Sequence, residues 1–180
     1  MIRILFLLFF LVYVQNDEPV LSWNAAYKLS WKDFKGKPKI NDGAVAITAS
    51  GITFNFSITK TDIGEVVSFT SNVHAHFYPE ASWYKIDRAN DYILGHEQLH
   101  FDITELFARK FRYRISQLKV SNTIWIELKT IHNRINLELS QMQNRYDNET
   151  NFSRNPEAQI KWKTFVGAEL DTLFNYESVD

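Results

Sequence analysis

Between Ala44 and Thr61 apolar and polar side chains alternate in the run AVAITASGITFNFSITKT, which is rich in Ile, Thr and Phe. A period of two turns one face of a strand to a core and the other to water, so this run predicts a half-buried β-strand. Gly51 is expected to mark a bulge in it. Residues 61–64 predict a turn, and EVVSFTSNVHAHFYP from Glu65 to Pro79 predicts a second strand that returns antiparallel. Upstream, LSWNAAYKLSWKDFKGKPKINDG mixes Trp23, Trp31 and Phe34 with the turn residues Gly36, Pro38 and Gly43. That mixture predicts a short strand and then a loop, with the tryptophans at the edge of the core.

Beyond Asn90 the period changes to about 3.6 residues. From Asn90 to Leu118, Ile93, His96, His100, Ile103, Phe107 and Phe111 fall within about 80° of one another on a helical wheel, which predicts one long helix. After a break at 119–122, residues 123–147 predict a second helix with Ile124, Leu128, Ile131, Ile135, Leu139 and Met142 on one face. The pair is expected to form an antiparallel hairpin. Asn155, Pro156 and Glu157 read as N-cap, N1 proline and first-turn acid of a third helix ending near Phe174. Strands first and helices after predict an α+β fold.

The chain has 180 residues, of which 45% are hydrophobic, enough for a single packed domain. Twenty Lys+Arg against 21 Asp+Glu leave a formal net charge of -1, which gives no reason to expect a nucleic-acid partner. At the start, Arg3 precedes an apolar run from Ile4 to Val14, shorter than the ~20 residues of a spanning helix. Residues 1–16 therefore predict a secretory signal peptide, followed by one domain over 17–180 and export to the periplasm or beyond. No small-x-small pattern precedes Asp17, so an uncleaved anchor is the alternative; once the signal is removed, no stable membrane insertion is expected. The sequence contains no cysteine. Disulfides and thiolate chemistry are excluded, and His, Asp and Glu remain as metal ligands.

Residues 96–100 read HEQLH. Histidines four apart stand one turn apart on one helix face, as a zinc clamp needs, and the glutamate after the first is the usual place for a general base. His96 and His100 also fall on a stripe otherwise filled by Ile and Phe. Unpaired polar groups there cost about 1–3 kcal/mol each, which a metal would relieve. The alternative is a coincidence of three polar residues on one helix. His74 and His76 share a face of the second strand, as a metal pair or as a structural pair. RKFRYR at 109–114 reads as an anionic-surface patch or as the solvated face of a helix, and the latter is the commoner outcome. Sequons occur at Asn55, Asn148 and Asn151.

Five segments in order, LSWKDFKGKP, ASGI, SWYK, GHEQLHFDITELFARK and YDNETNFSRNPEAQIKW, resemble a bacterial exported family. It is domain of unknown function 922, described as predicted secreted zinc-dependent proteases. The resemblance implies His96 and His100 as zinc ligands and Glu97 as the catalytic acid/base. In the family pattern the YDxxT segment continues to a histidine, and here that position is Phe152, so the resemblance implies that this chain lacks that histidine. The architecture expected on these grounds is zincin-like: a small antiparallel sheet packed on a helical hairpin that carries HExxH, plus a C-terminal helix. The expected activity is Zn2+-dependent hydrolysis of a peptide or protein substrate. An extended peptide is expected along an edge strand, with the strand of His74 and His76 as the candidate. The rivals are an inactive exported envelope or binding protein that keeps the fold, and a helical-hairpin protein without metal.

A protease-type zinc site needs a third His, Asp or Glu. Asp102 and Glu105 lie about 240° and 180° round the helix from His96 and cannot reach. If the hairpin turns near 119–120, position 139, give or take one turn, stands level with His100. Glu138 is the ionisable residue in that window on the inward stripe and is the expected third ligand, with His132 lower and to the side.

Overall fold

The computed structural model describes residues 19–38 and 43–178, so the expected signal peptide lies outside the described residues. Elements follow in the order β1 (Leu21–Ser22), β2 (Ala46–Ile47), β3 (Ser50–Lys60), β4 (Val66–Phe77), β5 (Trp83–Tyr84), α1 (Asp91–Ser116), α2 (Ile124–Glu149) and α3 (Pro156–Thr172). The fold is α+β, with two small antiparallel sheets ordered β1-β4-β3 and β2-β5.

β3 and β4 form a long hairpin in register from Ser50↔Phe77 onward. Its turn needs the glycine at 64, where φ is +88°, a conformation that side chains resist. Gly51 does not mark a bulge. It pairs in register with His76, and the irregularity lies between Thr59 and Lys60, next to the turn. The alternating run from Ala44 is also not one strand. It breaks after Ile47, with Ala46 and Ile47 paired to β5 and the chain joining β4 only from Ser50. Ser82 fastens the break: its buried hydroxyl donates to the Tyr78 carbonyl and accepts from the Ala49 amide. Gly36, from the LSWKDFKGKP segment, packs against that same corner, where a Cβ would stand 2.8 Å from the carbonyl oxygens of Glu80 and Ser82.

α1 is central rather than one half of a simple amphipathic pair. Residues 103–109 are buried without interruption, because the helix meets β3 and β4, α2 and α3 as well as the C-terminal turn. Asn90 caps it by accepting from the Ile93 amide, and Asn155 caps α3 by accepting from the Ala158 amide. The RKFRYR run is not a solvated face. Arg109 is buried over the Trp23 ring and pairs with Glu105 and Glu177, while Arg112 bonds Glu105 and the carbonyls of Val73 and Tyr176. Burial raises the pKa of Glu105, and the guanidiniums of Arg112 and Arg109 oppose that rise. Among the described residues no helix is long and apolar enough to cross a membrane.

Candidate metal centre

The second and third turns of α1 present His96 and His100 toward α2, and Asp147 comes from the last turn of α2. His96 Nε2 lies 3.2 Å from His100 Nε2 and 3.2 Å from Asp147 Oδ1, and His100 Nε2 lies 3.0 Å from the same oxygen. Among the described residues this is the group of three or more candidate ligands whose atoms converge.

Two glutamines decide which imidazole nitrogens carry hydrogen. Gln143 on α2 donates its amide NH2 to the His100 carbonyl at 2.9 Å, so its Oε1 is the atom that faces His100 Nδ1. Gln159 on α3 donates to the Tyr92 carbonyl at 3.2 Å, and its Oε1 lies 3.2 Å from His96 Nδ1. An amide oxygen only accepts, so both Nδ1 atoms donate, and in the neutral rings both Nε2 atoms are bare lone pairs. Two nitrogens and a carboxylate oxygen then share one space with no hydrogen between them, and a cation resolves the conflict. A proton can play that part in the metal-free protein. Burial disfavours charge on His100, but its hydrogen bond to Asp147 and the nearby Glu97 carboxylate outweigh this and raise its pKa. Burial likewise opposes charge on Asp147, and its hydrogen bonds with His100 and His96 outweigh it, holding the carboxyl far below the usual range.

The YDNET segment builds the far wall. Tyr146 is fully buried, stacks on His96 with ring centroids 4.5 Å apart and meets His100 edge-on at 4.9 Å. Thr150, also fully buried, donates to the Tyr146 carbonyl and closes α2. The chain then passes through Asn151, Phe152 and Ser153, all at positive φ, and the Phe152 amide bonds the Asp147 carbonyl. Three left-handed non-glycine residues in a row cost strain, held here by the helix ends on either side.

These groups open on a cleft of about 720 Å³. Glu97 lines it, with 5% of its surface exposed and no side-chain hydrogen bond or ion pair among the described residues. Residues from Gly43 to Thr48 form the opposite side, and the Thr48 hydroxyl bonds the Glu97 carbonyl at 3.2 Å. Glu138 is not at this site. It accepts from Arg114 at 2.6 Å and from Arg134 at 2.9 Å, and Arg114 stands roughly 20 Å along α1 from His100 at 1.5 Å per residue. Asp147 occupies the place expected of it. Phe152 is a half-exposed wall of the cleft. His74 and His76 meet edge-on on β4, which lies inside its sheet and away from the cleft, so the strand at the site is β2.

The family described as "Bacterial protein of unknown function (DUF922)" matches residues 23–154. His96, Glu97, His100, Asp147 and Phe152 all fall inside the match, and Gln159 lies beyond it. No curated protein and no solved structure matches the chain.

Proposed function

The chain belongs to this bacterial family of unknown function, and from that premise we propose that it is an exported, zincin-like zinc-dependent peptidase. The observation that carries the reading is the triangle of His96 Nε2, His100 Nε2 and Asp147 Oδ1, with sides of 3.0 to 3.2 Å. Ligand atoms bonded to tetrahedral zinc at about 2.0–2.1 Å stand about 3.3–3.4 Å apart, so the triangle is close to one face of such a site. Two histidines and one carboxylate leave a fourth position open, as catalytic zinc requires. When bound, zinc supplies Lewis acidity, polarising a carbonyl and making water a nucleophile near neutral pH.

The remaining work belongs to the chain's own groups. Glu97 offers a carboxylate with no side-chain hydrogen bond or ion pair among the described residues, beside the histidines and facing the cleft, suited to take a proton from water and return it to the leaving amine. Among the described residues β2 pairs with β5 along one edge, and its segment lines the cleft, which supports binding of an extended peptide by strand addition. Residue 152 is not needed as a ligand in this set.

The test is elemental analysis of purified protein together with cleavage of an unfolded protein substrate. About one zinc per chain is expected, lost in His96→Ala, His100→Ala and Asp147→Asn. Glu97→Gln should keep the metal and lose turnover, since an amide cannot accept the proton. Equal zinc in wild type and all three ligand variants sinks the metal site. Zinc without cleavage would favour an inactive binding protein.

A further inference from the structure

The mouth of the cleft carries two cations that no ion pair among the described residues neutralises. Arg88 and Arg154 both line it, both are exposed, and neither side chain makes an ion pair or hydrogen bond among the described residues. Arg88 has acids beside it in sequence, Asp87 and Asp91, yet pairs with neither. Other arginines of the chain are engaged: Arg109, Arg112, Arg114, Arg134 and Arg145 all bond carboxylates. The acids that line the cleft are Glu97 and Asp147, and Asp147 is committed to the two histidines. Each free arginine also stands just ahead of a helix start, Arg88 two residues before the Asn90 cap and Arg154 one before the Asn155 cap. The positive ends of two helix dipoles therefore add to the same rim.

We propose that Arg88 and Arg154 are specificity-determining residues that grip a carboxylate of the ligand at the mouth of the cleft. This rests on reading the cleft as the substrate site. The walls between the arginines and the histidines are mostly apolar or neutral, with Val45, Ile47, Tyr92, Ile93 and Phe152 among them, so they bind side chains without asking for charge. Guanidiniums are suited to planar carboxylates, and paired binding adds geometric selection. A carboxylate can come from an acidic side chain or from the free C-terminus of a peptide. The first makes the site selective for acidic sequences, and the second makes it read chain ends.

Four fluorescein-labelled alanine hexapeptides separate these sources: a central glutamate or glutamine, each with a free or an amidated C-terminus. Binding is followed by fluorescence anisotropy on Glu97→Gln protein supplied with zinc, and again with chelator present. Either glutamate over glutamine or free over amidated is expected to tighten binding about tenfold, as a charge-assisted hydrogen bond would. Arg88→Gln/Arg154→Gln should abolish that preference, and raising the salt concentration should shrink it. Equal affinity for the four peptides, no binding by any of them, or a preference that survives the double substitution overturns the proposal. Zinc content is read separately on every protein. A carboxylate preference without zinc fails the peptidase reading and leaves this one standing, and zinc without the preference does the reverse.

Discussion

Two arginines hold Glu138, and what they do to it can be measured. Burial disfavours its charge, but the hydrogen bonds from Arg114 and Arg134 outweigh that and lower its pKa from 4.5. A carboxyl lowered on folding adds stability above its unfolded pKa and loses it as pH falls through the folded one. Glu138→Gln is therefore expected to cost about 0.5–1 kcal/mol at neutral pH, discounted for solvent around Arg134. The cost should fade below pH 4.5, while zinc content stays at the wild-type level. Urea titrations at neutral and acid pH check this, and a pH-independent cost would refute it. A hairpin that turns at 119–120 sets position 139 level with His100, and so points to Glu138. The pairs His96–Asp147 and His100–Gln143 share a midpoint between Ser121 and Asn122, which moves the count by one turn. Counting from His96 rather than His100 moves it by another. Asp147 stood within the YDNET segment throughout, and HEQLH itself was legible from spacing alone.

Elements were easier to read than their partners. Helical periodicity marked all three helices to within two residues, since each buries a continuous stripe or begins at a strong cap. What periodicity does not record is which neighbour a strand joins. Alternation continues through Thr48 and Ala49, so the change from β5 to β4 leaves no trace in the pattern, and the pattern does not mark β2 as the strand at the cleft. Nor does a lone glutamine carry a spacing signal, although Gln159 is how α3 reaches the centre. The two glutamines should matter as orienting groups. Gln143→Leu and Gln159→Leu are each expected to weaken zinc binding by about 10–100-fold in chelator competition, because the ring tautomer is no longer imposed. Glutamate at either position still accepts from Nδ1 and should recover most of that loss. Leucine variants with wild-type affinity would show that the ring positions are set by packing on Tyr146 instead.

At the scale of the molecule, the site draws to one point elements that already pack around α1. Candidate ligands come from α1 and α2, their orientation from α2 and α3, and the cleft wall from the segment before β3. At the other end of α1, Glu105 with Arg109 and Arg112 anchors the C-terminal turn through Tyr176 and Glu177. A metal bound only by the folded chain stabilises it by RT ln(1 + [L]/Kd), about 2.7 kcal/mol at 100 times Kd. For a chain of 180 residues, about 2–4 °C per kcal/mol gives an expected rise of about 5–10 °C in melting temperature with zinc over chelator. Circular dichroism melts read the shift. It should vanish in His96→Ala and Asp147→Asn, whose metal-free melting should lie below that of metal-free wild type, because the first leaves a cavity beside Tyr146 and the second removes the carboxylate that shares the proton with the histidines. If melting is the same with zinc and with chelator while zinc is bound, the unfolded chain holds the ion equally well, and the convergence of helices on it adds nothing to the fold.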